Sequence, residues 1–256
     1  TVRMTGAAKN TVVKLLADVG SACLDYQDQT LRNLTCKRIQ CDEIWSFCYA
    51  KDKNVPKDKR GQFGYGDVYT WTAICADSKL VPCWLVGRRN TATAKEFMLN
   101  LASRLSHRVQ LTTDGYKPYL EAVRGAFGLD VDYAMLVKLY GPEPQGQKRY
   151  SPASFMAAVG RPIVGRPDKQ HVSTSFAERQ NLTMRMSMRR FTRLTNAFSK
   201  KVENLQHAVA LHFMYYNLGR VHKSLGVTPA MAAGVANHAW SLEEIAGLAD
   251  KFPTSN

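Results

Sequence analysis

The chain has 256 residues, 45% of them hydrophobic, which is enough for one large folded core and not the composition of a disordered segment. Lysine and arginine number 35 against 21 acids, a formal charge of +14 at pH 7 that suits a polyanionic partner. No run approaches the ~18–20 apolar residues of a membrane span, and the N-terminus lacks the basic-then-apolar pattern of a secretory leader, so the expectation is a soluble intracellular protein without a membrane partner. The start at Thr1, without a methionine, reads as that of a fragment. Cys23, Cys36, Cys41, Cys48, Cys75 and Cys83 form no Cys-x-x-Cys pair and sit largely in apolar runs. They read as reduced, buried thiols, with a zinc cluster from Cys36, Cys41 and Cys48 as the lesser alternative.

In chain order, Thr5 to Leu16 reads as a turn entering a helix whose apolar stripe is Val12, Leu15, Leu16 and Val19. Lys9, Asn10 and Lys14 lie off that stripe, as the early residues of a DNA recognition helix would; a packing or linker helix is the other reading. Gly20 and Tyr26 to Arg32 read as a connection onward. From Arg38 to Tyr49 the period becomes that of a strand, followed by a basic loop from Lys51 to Gly66. Asp67 to Ala76 and Leu80 to Val86 complete a three-strand meander across an Asp77-Ser78-Lys79 turn. Thr93 with Glu96 reads as the capping box of a helix whose buried face is Phe97, Leu101 and Leu105. A short strand, Arg108 to Thr113, then ends at Asp114-Gly115, with a helix over Tyr119 to Phe127 and a strand over Tyr133 to Leu139 beyond it. Gly141 to Gln170, dense in Pro, Gly, Lys and Arg, reads as a loop-rich insertion. A helix capped from Ser173 to Ser175 carries Glu178, and Ser199 to Leu218 reads as a long second helix. Thr228-Pro229 and Ser241 to Glu244 each open a short one.

The chemistry lies in three carboxylates. Asp42 stands inside a strand beside Ile44, Trp45 and Phe47, where an ionised side chain is costly unless a cation compensates it. Strand alternation sets Glu43 on the opposite face and makes it the weaker candidate. Asp114 ends another strand, where ligands collect in open α/β sheets, although an Asp-Gly after a strand is also an ordinary turn. Glu178 opens a helix on which Asn181, Arg185 and Arg189 follow at steps of three or four, so acid, amide and guanidiniums share one face. A solvated basic helix with ion pairs is the plainer reading of that stretch. Clustered carboxylates on a basic chain point to magnesium, with manganese as a substitute. Two ions would clamp the attacking and leaving oxygens of a phosphoryl transfer. Arg179, Arg185, Arg189, Arg190 and Arg193, with Lys200 and Lys201, are candidate phosphate contacts.

The meander carrying Asp42, the strand ending at Asp114, the capped helix bearing Glu178 with Arg185 beyond it, and the long helix after them resemble the DDE transposases and retroviral integrases of the RNase H-like superfamily. The tail Tyr216-Asn217-Leu218-Gly219-Arg220-Val221-His222-Lys223-Ser224-Leu225 is similar to the Tyr-Asn-x-x-Arg-x-His-x-x-Leu ending of insertion-sequence transposases. Nearly the whole chain resembles insertion-sequence-one-like members. The resemblance implies an α/β fold, an RNase H-like mixed β-sheet flanked by helices behind a partial N-terminal helix-turn-helix. It divides the chain into residues 1–32 as DNA-binding segment and linker, 36–226 as catalytic domain with 140–171 as insertion, and 227–256 as short C-terminal helices. It further implies Asp42, Asp114 and Glu178 as catalytic ligands of two Mg²⁺ ions, Arg185 as a DNA-gripping residue, double-stranded DNA as substrate, a homo-oligomer, and a bacterial cytoplasmic, nucleoid-associated location. Asp114 and Glu178 stand further apart than in many relatives, which leaves Glu203 as a distant rival for the third acid. A metal-dependent nuclease or resolvase on the same fold, and an inactive DNA-binding regulator, are the alternatives.

Overall fold

The computed structural model describes residues 1–141 and 154–252. Its centre is a six-stranded mixed sheet in the order β3-β2-β1-β4-β5-β6. The strands are β1 (Arg38–Cys48), β2 (Gly66–Cys75), β3 (Cys83–Gly87), β4 (Gln110–Asp114), β5 (Asp132–Tyr140) and β6 (Phe155–Val164). The first three are antiparallel, β1, β4 and β5 run parallel, and β6 returns antiparallel on β5. The helices are α1 (Val2–Thr5), α2 (Lys9–Thr30), α3 (Thr91–Ala102), α4 (Pro118–Phe127), α5 (Ser175–Ser187), α6 (Val202–Met214), α7 (Pro229–Ala232), α8 (Leu242–Ala246) and α9 (Leu248–Lys251). No helix among the described residues is long and apolar enough to cross a membrane.

The alternation of β1 divides the core in two. Ile39 and Cys41 face Trp71, Phe97, Leu101, Leu111, Tyr119 and Val123, the layer of α3 and α4. Ile44 and Cys48 face Ala177, Met184, Leu205, Val209 and Phe213, the layer of α5 and α6. All six cysteines are free and buried, and Cys41 and Cys48 fall on opposite faces of β1. The tail segment is anchored by Asn217, whose side chain accepts from Val81 N at 3.0 Å and donates to Val81 O at 2.9 Å. A buried amide used in this way replaces a missing strand neighbour.

Several sequence expectations are corrected. Gly20 and Tyr26 to Thr30 are not a connection: α2 runs unbroken through them and packs against α6, leaving only Leu31 and Arg32 of that stretch beyond its end. A side chain at Gly20 would put a Cβ 2.5 Å from His207 Cβ, so the glycine marks a close helix crossing and not a break. Buried Arg104 accounts for the far end of α2, donating to Leu31 O at 3.2 Å and to the Asp28 carboxylate at 2.6 Å. Asn90, not a Thr93–Glu96 box, caps α3 by accepting from Thr93 N at 3.0 Å. Within the expected loop-rich insertion lies the edge strand β6; residues 142–153 of that insertion fall outside the described residues. Gly160 and Pro162 are tolerated there because an edge strand has one side with no ladder to keep. Helix α5 ends at Ser187 and a 3₁₀ turn spans Arg189–Phe191, so Arg189 leaves the helical face shared by Glu178, Asn181 and Arg185. Helix α6 covers only the middle of its expected range: Ser199 instead bridges to Cys48, and a π-helical turn takes Tyr215–Gly219.

Candidate metal centre

Strands β1 and β4 are paired from Arg38 and Gln110 to Gln40 and Thr112, and two residues further on the same register sets Asp42 beside Asp114. The ladder has ended by then, so side chains from either face of β1 can turn into the gap between the strand ends. Glu43, expected on the far face, does so. Donor atoms of Asp42, Glu43 and Asp114 lie within 4.8 Å of one another, which corrects the lower weight its position in the alternation gave it.

Each carboxylate is held by specific neighbours. Asp42 accepts from its own neighbour's backbone, Glu43 N, at 2.8 Å and from Asn181 Nδ2 on α5 at 2.8 Å. Asp114 accepts from Tyr116 N at 3.0 Å. Arg89 Nε donates to Glu43 at 3.2 Å, and its Nη2 stands 3.9 Å from Asp114. The Arg89 guanidinium lies 4.0 Å from the Tyr116 ring centre, and the Tyr116 hydroxyl donates to Arg89 O at 2.9 Å. The Glu43 side chain is 2% exposed, and among the described residues its Oε1 meets no donor at hydrogen-bond distance. The buried Tyr119 hydroxyl stands beside Glu43 and, among the described residues, has no other partner within hydrogen-bond distance.

Burial is the main cause that pushes Asp42 up to about 6, with Asp114 and Glu178 adding repulsion against the Glu43 N–H contact. Burial likewise raises Glu43 to about 7, against the lowering influence of the Tyr119 hydroxyl and Arg89 and with Asp114 and Asp42 adding repulsion. Carboxylates crowded and desolvated in this way, one oxygen of them orphaned, fit a hard divalent cation, and an all-oxygen donor set is that of the magnesium class.

Glu178 is not in this trio. Lys138 Nζ on β5 donates to its Oε1 at 2.5 Å and Thr174 Oγ1 donates to the same oxygen at 2.6 Å. Burial acts to raise Glu178, but these two donors hold it below its ordinary range. Thr174 therefore serves the acid and not the helix start. The first N–H groups of α5 are met from across the fold by Gln40 Oε1, which accepts from Phe176 N at 2.8 Å and Ala177 N at 3.3 Å. Gln40, Lys138 and Arg89 carried no signal in the sequence, since each acts through a partner remote in the chain. Glu203 opens α6 near Cys48, apart from the trio.

The basic candidates divide. Arg179, Arg189 and Arg193 are exposed and Arg185 half-buried, whereas Arg190 is turned inward, donating to Ser199 Oγ at 2.6 Å. Lys9, Asn10 and Lys14 lie exposed on the first turns of α2, with Lys14 paired to Asp18 at 2.6 Å.

No family model and no curated relative matches the chain. Among solved structures it is similar to a piggyBac transposase in its synaptic complex with hairpin DNA, at 10% identity and a TM-score of 0.37 over 86% of this chain. The match covers 55% of that transposase, so the chain spans about half its length.

Proposed function

We propose that the chain is a DNA transposase of the DDE type on an RNase H-like fold, cleaving and joining phosphodiesters with divalent cations. The observation that carries this reading is the convergence of Asp42, Glu43 and Asp114 at the ends of β1 and β4, with one buried Glu43 oxygen left without a partner. The strand order and directions, a three-strand meander followed by parallel β4 and β5, support the RNase H-like assignment.

Asp42, Glu43 and Asp114 would hold the cation, and Glu178 would join them on leaving Lys138. When bound, Mg²⁺ there supplies neutralisation of the phosphodiester's developing negative charge. Asn181 fixes the orientation of Asp42, and Arg89 offers a guanidinium to a phosphate beside the acids. In the first reaction a water oxygen bonds to phosphorus and the 3′-oxygen leaves as a hydroxyl. In the second, that 3′-hydroxyl attacks a target-strand phosphate and displaces another 3′-oxygen, so one phosphodiester replaces another with no external energy source. The protein contributes position and charge and forms no covalent intermediate. Arg179, Arg185, Arg189 and Arg193, with Lys9 and Asn10, are assigned to the DNA backbone, and two copies of the chain to the two element ends.

The test is purified protein with element-end DNA, a target plasmid and Mg²⁺. Cleaved and joined products are expected for wild type and none, to within about a thousandfold, for Asp42→Asn and Asp114→Asn. Cleavage without joining would reduce the protein to a nuclease; joining by both variants would remove the carboxylates from the reaction.

A further inference from the structure

Beyond the acids, β1 continues to a second feature on the face that carries Glu43. Trp45 and Phe47 follow Glu43 at the two-residue step of a strand, about 13 Å from first to last. Trp45 pairs across the sheet with Tyr69, over whose ring the Arg89 guanidinium stands at 5.9 Å. The Trp45 and Phe47 rings are 5.8 Å apart, and Phe47 meets Phe198 at 4.8 Å. A row of aromatic rings thus leads from the carboxylates to a cavity of about 900 Å³ at the end of the strand, lined in part by Phe47, Tyr49, Phe198, Lys51, Arg189 and Lys200.

Three properties of this cavity point to a ligand with a flat ring and a negative charge. Ammonium groups stand over its rings: Lys200 Nζ lies 4.3 Å from the Phe198 ring centre, Lys51 Nζ 5.9 Å from that of Phe47, and Lys59 Nζ 4.6 Å from that of Tyr49, whose ring also meets Tyr65 at 5.0 Å. Phe47 is buried beneath them, but on half-buried Phe198 and Tyr49 an ammonium can give way to another π system. Among the described residues, Lys51, Arg189 and Lys200 have no acidic partner, so their charge is available to phosphates. Tyr49 is held at φ 66°, a conformation uncommon for a residue other than glycine, and its N–H is tied to Ser199 O at 2.8 Å. Backbone strain of this kind concentrates at ligand sites.

We infer that this cavity receives an unpaired nucleotide of single-stranded DNA, its base against Phe198 and Tyr49 and its phosphates on Lys51, Arg189 and Lys200. A duplex cannot fill it in the same way, because paired bases present their faces to one another. The inference rests on the DNA-processing reading of the carboxylate centre and gives that centre a hold on a single-stranded end beside the bond it acts on.

The experiment uses the full chain without Mg²⁺ and a single-stranded 12-mer carrying 2-aminopurine, with blunt duplex of the same sequence as competitor. Wild type is expected to quench the fluorescence, and duplex to compete at least tenfold less well than unlabelled single strand. Phe198→Leu keeps the apolar bulk and removes one of the two rings; it should reduce the quenching severalfold and weaken binding about tenfold. The double variant Lys51→Gln/Lys200→Gln, at one half-buried and one exposed position, should lower the salt dependence by about two charges. Unquenched binding by wild type, equal quenching by Phe198→Leu, or equal affinity for duplex would each overturn the inference. Asp42→Asn should bind and quench like wild type, so a failure of the proposed cleavage chemistry leaves this result readable on its own.

Discussion

Asp42 and Glu43 are adjacent acids, raised to about 6 and about 7, and both bind protons more tightly folded than unfolded. Between the ordinary carboxylate range near pH 4 and about pH 7 the folded state therefore carries the extra protons, and stability falls as pH rises through that window. At pH 4 the metal-free wild type and an Asp42→Asn/Glu43→Gln variant should melt at similar temperatures. By pH 7.5 the variant should be the more stable by several degrees in calorimetry, and Mg²⁺ should close the gap by raising the wild type alone. A wild type that gains stability on the variant across that range would contradict the assignment. Asp42 was legible in the sequence because a charge among Ile44, Trp45 and Phe47 needs a reason. Glu43 was not, since strict alternation assumes a continuing ladder, and this one stops at Gln40. Lys138 was hidden for another cause: nothing local to β5 announces a partner 40 residues away.

Elements are placed by a few contacts that cross the fold, and two of these can be tested. Gln40 on β1 satisfies two N–H groups that open α5, so Gln40→Leu should cost about 1 kcal/mol of stability. It should also slow cleavage by roughly ten- to a hundredfold, because α5 carries Asn181 and Glu178 and a small shift misplaces both. Unchanged cleavage with reduced stability would show that α5 does not orient the site. Gly20→Ala separates two opposed effects. Helix propensity alone would stabilise the change by about 1 kcal/mol, whereas the backbone of His207 within 2.8 Å cannot swing aside, and overpacking costs about 1–3 kcal/mol. Net destabilisation in urea melts is expected; a gain would mean the two helices are free to separate. The meander, β4, β5 and the existence of α3 to α6 could be read from period and punctuation. The extent of α2 could not, because a glycine serving a helix crossing looks in sequence like one serving a turn. Strand β6 escaped for the converse reason, its glycine and proline being admissible only on the outer row of a sheet.

For the molecule as a whole, the proposed function together with a net charge of +14 predicts DNA affinity that falls steeply with salt, but the cations are not equivalent. Arg185→Gln with Arg189→Gln should lower the slope of log affinity against log salt by roughly two, read by fluorescence anisotropy. Arg190→Gln should leave the slope in place and lower the melting temperature, since Arg190 secures Ser199 and with it the segment docked on the end of β1. An equal slope change from Arg190→Gln would move that residue to the DNA surface. The even residues of β1 serve one layer, through Gln40, Asp42 and Ile44, and the odd residues Ile39 and Cys41 serve the other, with Glu43, Trp45 and Phe47 following at the same two-residue step. Deleting or inserting one residue between 39 and 47 would invert that phase, turning the helix cap, the acids and the aromatic row to the wrong sides in a single step. Such length changes should be lethal to the molecule where most single substitutions in the same strand are graded, so the strand can drift in composition but not in length.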